Sequence, residues 1–362
     1  MLRRLLALAL PCLPACHGAT ADNSGFSTTP GVSSVDPASS GASTTGTGAP
    51  AEDSTAAMST TAASTTAAST QTDADPFRDL PAPPDLGPAA PPGCKGKIDF
   101  LFTIASGFDM KSEQAQLKAS FAGFIAVIQQ EFGDFDYHIM VSNGTGDDPA
   151  CAGCQGTCPD GPPGYTCDPV LEPCDDIVGA GQTFPRGWNA SNHRCELFGG
   201  HRYIIHGEPD LLAAFTCIAS VGTNGSYAVM NEARGAVSPE FNPQSFACNT
   251  GFLRDDALLV LTVITDADDD VYSADQPKDW AKTFRDLKKD DDGIVSLLIF
   301  NDKDLLDGVC KPYIAAKPVR LREWQTLMPH TLAGSTCAPS YAPFLADAAQ
   351  LIKSQCDAFV PQ

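Results

Sequence analysis

Positive charge is scarce in this 362-residue chain: 23 lysines and arginines stand against 44 aspartates and glutamates, a formal net charge of −21. Phosphate backbones are held by basic surfaces, so this balance excludes nucleic acid as a partner. It argues equally against docking on anionic lipid through a basic patch. An acidic surface favours solubility, the attraction of cations and basic partners. Long apolar runs are missing as well; the run at residues 5–10, LLALAL, is too short to span a bilayer as a stable helix. No His-Glu-x-x-His and no Gly-x-Ser-x-Gly occurs. That removes the zinc-protease signature and leaves any serine nucleophile without its usual elbow. Between residues 17 and 75, Phe26 is the one aromatic among Ser, Thr, Ala and Gly, so no core can form there.

What is present begins with an export leader. Arg3 and Arg4 supply the positive start, the apolar run follows, and small residues close residues 1–15 as a signal peptide. LPAC at 13–16 resembles a bacterial lipobox, which implies cleavage before Cys16 and acylation of its thiol. His17 follows the cysteine, where an Asp commonly retains such lipoproteins in an inner membrane. The expectation is an exported protein, lipid-anchored to the bacterial outer membrane or cell surface. Ordinary secretion, with Cys16 as one more thiol, is the plainer alternative. Of the fourteen cysteines, Cys12 leaves with the leader and Cys16 carries lipid; the twelve others lie between Cys94 and Cys356. In an exported chain they support up to six disulfides, whose pairing sequence alone does not assign.

Residues 16–93 read as a disordered tether, first Ser/Thr/Ala-rich and then stiffened by the prolines of PAPPDLGPAAPPG at 81–93. From Cys94 the pattern changes. IDFLFTI at 98–104 is a continuous apolar run suited to a strand covered on both faces. The stretch 112–132 spaces Leu117, Phe121, Phe124, Ile125 and Ile128 as a helix, with Ser112 able to cap it. Further strands are expected at 136–143, 258–264 and 293–300, with helices at 276–289 and 340–356. Alternation of buried strands and helices predicts an α/β domain over 94–362, with a Rossmann-like, doubly wound, mostly parallel sheet. A long insertion, about 144–254, separates the second and third of these strands. Its cysteine-, glycine- and proline-rich first part is too poor in apolar residues to supply much core, so cross-links should brace it.

KIDFLFTI, MKSEQAQL, DYHIMVSN, FTCIASVGTNG at 215–225 and LLVLTVITDADDD occur in the order found in von Willebrand factor A domains, which this chain resembles over roughly 97–356. The resemblance implies a Rossmann-like fold. It also implies partner binding at a metal-ion-dependent adhesion site, built from an Asp-x-Ser-x-Ser turn, a Thr and a further Asp. Oxygen donors of that kind suit Mg²⁺ or Ca²⁺. Residue by residue the first turn is degenerate: Ala105 stands for the Asp, Gly107 for the first Ser and Asp109 for the second. Thr223 fits the second loop and Asp266 or Asp268 the third. The candidate metal ligands are therefore Asp109, Thr223, Asp266 and Asp268, with Mg²⁺ or Ca²⁺ bound weakly if at all and no other cofactor expected.

Other constellations are weaker. Asp266, Asp268 and Asp270 open like a calcium loop, but Val271 stands where that loop needs Gly and Pro277 where it needs Glu. Cys151 and Cys154 have zinc spacing, yet exported thiols become disulfides. His193, His201 and His206 are scattered and read as surface or core residues. The sequons at Asn143, Asn189 and Asn224 are explained by short polar turns. A hydrolase reading takes Ser106 as nucleophile with Asp266 or Asp268 and His330, the chain order of α/β-hydrolases; the Ala-Ser-Gly turn after the domain's first strand opposes it. The reading favoured by the sequence is a non-catalytic, surface-anchored binding protein that recognises a protein or envelope component. Its face comprises Ser106, Asp109, Thr223, Asn224 and Asp268 at the carboxyl edge of the sheet. A purely structural envelope lipoprotein is the third reading.

Overall fold

A computed structural model describes residues 94, 96–132, 135–142, 144, 171–223, 225, 227–269, 272–314 and 317–360. Cys16, the leader, the tether and Cys151 to Cys167 lie outside the described residues. The strands are β1 (Lys97–Ile104), β2 (Asp136–Val141), β3 (Ile204–Ile205), β4 (Leu258–Thr265), β5 (Ile294–Phe300) and β6 (Thr331–Ser335). The helices are α1 (Lys111–Phe132), α2 (Leu211–Ile218), α3 (Val229–Val237), α4 (Pro243–Cys248), α5 (Pro277–Lys288), α6 (Val319–Leu327) and α7 (Ala342–Ala358).

The six strands form one sheet of order β3-β2-β1-β4-β5-β6, parallel throughout except for β3, which runs antiparallel to β2. Central β4 and β5 are buried along their whole length, as expected of strands covered on both faces. Alternation along β1 explains the two covers. Phe100 meets Phe124 edge-on at 5.8 Å and Phe102 meets Phe215 at 5.1 Å, so this face takes α1 and α2. Phe121 stacks on Phe215 at 3.5 Å, and α7 packs beside α1. Helices α3, α5 and α6 pack together on the opposite side, where Trp280, Phe284 and Trp324 are fully buried.

The sequence expectation for β1, β2, β4, β5, α1, α5 and α7 holds within two residues at each end. Two details differ. Ser112 is not the cap of α1: a 3-10 turn, Phe108–Met110, runs straight into the helix, and Ser112 instead donates to Glu113 Oε2 at 2.9 Å. The described part of the 144–254 stretch, residues 171–223, 225 and 227–254, is also integral to the fold. It forms β3, α2, α3 and α4, and it sends Phe215, Ile218, Val229, Met230, Val237 and Phe252 into the core at 0% exposure.

Four disulfides brace the described residues: Cys94–Cys356, Cys174–Cys248, Cys195–Cys217 and Cys310–Cys337. Such pairing belongs to an oxidising, exported setting. Among the described residues no helix is long and apolar enough to cross a membrane. At the amino edge of the sheet, buried Asp99 accepts from the Arg254 backbone N–H at 2.7 Å and from its Nε at 2.8 Å. Lys288 Nζ closes the same corner by donating to Ala257 O at 2.8 Å.

Cys94–Cys356 spans 262 residues and ties the start of β1 to the end of α7, so it removes the most freedom from the unfolded chain. Replacing both with Ser is expected to cost about 2–5 kcal/mol. Calorimetry should then show a melting temperature lower by about 5–15 °C; an unchanged melt would contradict this role.

Candidate functional site

In a sheet of this order, ligands sit outside the carboxyl ends of the strands at the point where the winding reverses, here between β1 and β4. Three loops meet there: 105–110 after β1, 222–228 before α3, and 266–269 after β4. Their junctions are backbone-level. Gly225 N–H donates to Ser106 O at 2.7 Å, and buried Gln114 on α1 donates to both Gly222 O at 2.7 Å and Ala105 O at 3.3 Å. Asp266 N–H points to Met110 Sδ at 3.3 Å. The strand-turn-helix of β1 therefore delivers Ser106 and Asp109 to the edge where the sequence expected them.

Nothing at the first turn supplies the missing donors. Ala105 is fully buried, and its N–H continues the pairing with Ile264 O at 2.9 Å. A Cβ at Gly107 would overlap the ring of Tyr227 in its present position. Tyr227 thus lies directly over the turn. Burial first, then the carboxylates of Asp266 and Asp109, push its hydroxyl up to about 12, so it stays protonated and neutral. Tyr272 packs beside it with ring centroids 5.6 Å apart.

The acidic run after β4 divides its labour. Asp268 is almost wholly buried. Its Oδ2 accepts from Val319 N at 2.8 Å and Arg320 N at 3.0 Å, and its Oδ1 accepts from Leu321 N and from Asp269 N, each at 3.1 Å. Those are the first three free amides of α6, so Asp268 caps a helix 51 residues away in sequence. Asp269, fully buried, accepts from Met230 N in the first turn of α3 at 2.9 Å and from Ser273 N at 2.8 Å. Burial raises its pKa against these bonds. Among the described residues of the run, Asp266 is the one left at the crevice. Its Oδ1 has no hydrogen-bond partner among the described residues, and burial, Asp109 and Glu113 push it up to about 6.

The structure therefore brings Asp109 and Asp266 together and directs Asp268 to α6. Thr223 is buried with its hydroxyl between Trp188 O at 3.2 Å and Asn189 Nδ2 at 2.8 Å. Asn224 lies outside the described residues. These donors fit a hard cation poorly: the first turn offers the Asp109 carboxylate in place of the Asp-x-Ser-x-Ser set, the Thr hydroxyl is engaged, and one Asp has both oxygens occupied. Among the described residues no three His, Cys, Asp or Glu side chains gather closely enough to hold a metal ion. His330 corrects the hydrolase alternative. It precedes β6, its carbonyl accepts from Ser296 near the start of β5, and its Nε2 meets Asp292 at 3.0 Å. That is the amino edge of the sheet, opposite Ser106. His193 and His206 bond backbone carbonyls, and His201 stacks on Tyr203.

Two residues escaped sequence reasoning. Tyr227 stands in the second loop, past the VGTNG stretch that the sequence singled out, and its position over Gly107 has no signal in the chain. Glu232 reads as an ordinary helical residue in VMNEARG, yet it is fully buried, lies against the backbone of Gly144, and has no partner for either oxygen among the described residues. Burial, then Asp269, raises its pKa well above the usual range, so it is held as the neutral acid.

No protein-family model matches the chain, and no curated protein matches it. Solved structures similar to it include proximal thread matrix protein 1 from the mussel byssus, in one structure 10% identical with a TM-score of 0.35, over 74% of this chain and 49% of that one. A second structure of the same mussel protein is 9% identical, with a TM-score of 0.34 over 73% and 47%. A von Willebrand factor type A structure from Catenulispora acidiphila is 11% identical, with a TM-score of 0.35 over 70% and 42%. The chain spans less than half the length of each.

Because the unfolded chain ionises Glu232 from about pH 4.3 upward while the fold holds it neutral, folding loses stability as pH rises toward the folded pKa. Glu232→Met removes that loss. Its melting temperature is expected to exceed the wild type's by more at pH 8 than at pH 4.5; a gain independent of pH would contradict the assignment.

Proposed function

We propose that this chain is a non-catalytic binding protein, von Willebrand A-like in architecture, that recognises a partner protein or envelope component at the carboxyl edge of its sheet. One observation carries the reading. Three large aromatics stand exposed on the loops around the crevice: Phe108 at 80%, Tyr272 at 50% and Trp188 at 45%. Aromatic side chains bury large areas at little entropic cost and dominate protein interfaces. Loops pinned to one another by backbone bonds present those rings in a fixed arrangement, which lowers the ordering cost of association. The distance of His330 from Ser106 supports the non-enzymatic side of the reading.

Recognition is metal-independent in this proposal. Tyr227 fills the space above the first turn, and the carboxylates of Asp109 and Asp266 meet the partner directly, so a basic group on the partner is favoured. Acylated Cys16 and the 16–93 tether would hold the domain off the outer membrane or cell surface, the export itself being in keeping with the disulfides.

Pull-down from envelope extract with the full chain tests this. A partner should be retained in EDTA, and Phe108→Asp with Tyr272→Asp should lower retention at least about tenfold, the loss expected for hot-spot aromatics, with folding unchanged by calorimetry. Retention that needs Mg²⁺ or Ca²⁺, or that survives both substitutions, would overturn it.

A further inference from the structure

Of the thirteen large apolar side chains exposed among the described residues, six fall within residues 305–319: Leu305, Leu306, Val309, Tyr313, Ile314 and Val319. The first five belong to the connection between β5 and α6 and Val319 opens α6, all on the same edge of the sheet as the crevice. This loop is built rather than loose. Asp302 accepts from Val309 N at 2.7 Å and Cys310 N at 2.8 Å. Cys310–Cys337 ties it to the segment after β6, and Arg322 grips Asp304 through two bonds of 3.0 and 2.8 Å. Leu306 is 80% exposed in this fixed frame. Apolar groups concentrated and held in water mark a docking surface.

We propose that the loop inserts these side chains into the interfacial zone of a phospholipid surface. Composition separates lipid from protein as the occupant. Protein hot spots are rich in Trp, Tyr and Arg and poor in Leu and Val, and their interfaces are depleted of Lys. Here five of the six apolar groups are aliphatic, and the exposed charges among them are Lys311 and Lys317 against the single acidic Asp307. Charge points the same way. In a chain of net charge −21, residues 301–322 hold five basic against three acidic side chains. Asp302 and Asp304 are engaged in the bonds given above. Aliphatic tips enter the acyl boundary while lysine stems lie along it and carry their ammonium groups to the headgroup phosphates. Apolar insertion supplies the binding, so the acidic body of the chain does not forbid it. The inference does not depend on the partner proposed for the crevice.

The test uses the full chain carrying Leu306→Trp and vesicles of phosphatidylcholine and phosphatidylglycerol, three to one, with brominated acyl chains. Trp280 and Trp324 are fully buried and Trp188, 45% exposed, is changed to Phe in both the reporter and its parent chain, so the added indole reports on the loop wherever the rest of the chain is attached. Its emission should shift to the blue and be quenched beyond the parent chain's own response. Lys311→Glu with Lys317→Glu should raise the lipid concentration needed by about tenfold or more. Emission left unquenched with the chain on the vesicles would overturn the proposal. So would self-association of the wild type in lipid-free solution that Leu306→Asp abolishes, which would assign the loop to a second copy.

Discussion

Two consecutive carboxylates, Asp268 and Asp269, fix the upper half of this domain to its sheet. Each leaves β4 and takes free amides at a helix start, Asp268 those of α6 and Asp269 that of Met230 in α3. Buried hydrogen bonds to a charged acceptor are among the stronger single contributions to a fold. Their placement also sets the geometry of everything around the crevice. The position of α3 determines where Tyr227 and Glu232 sit, and the position of α6 determines where the 301–318 loop ends.

The division of the acidic run follows. Carboxylates committed to helix amides are poor ion ligands, because their lone pairs and charge are already answered. Asp266 keeps an oxygen without a partner among the described residues, and the charges of Asp109 and Glu113 act on it. The lack of a side chain at Gly107 leaves room for the Tyr227 ring on the turn. The edge around the crevice carries the exposed rings of Phe108, Trp188 and Tyr272.

The fold was largely legible in the chain and the site only in part. Strands such as β4 declare themselves because burial on both faces demands an unbroken apolar run, and α1 because its phenylalanines repeat at helical spacing. β6, with the half-exposed sequence TLAGS, and the two-residue β3 carry no such pattern. The run TDADDD signals that carboxylates cluster at a strand end but not which groups answer them; the takers, α3 and α6, are helices of only 9 residues each. Ser106, Asp109 and Asp266 share the carboxyl edge because strand direction alone puts them there. His330 was misplaced because chain order does not say at which end of a strand a loop lies.

The central claim, that Asp268 is a helix clamp and not an ion ligand, is tested by thermal unfolding of the full chain and of Asp268→Ala, each with and without millimolar Mg²⁺ and Ca²⁺. Loss of a buried charged cap should lower the melting temperature by about 5–10 °C whether or not a cation is present, with the wild type indifferent to both ions. A wild-type melt that rises with either cation, and a rise that Asp268→Ala abolishes, would contradict the account.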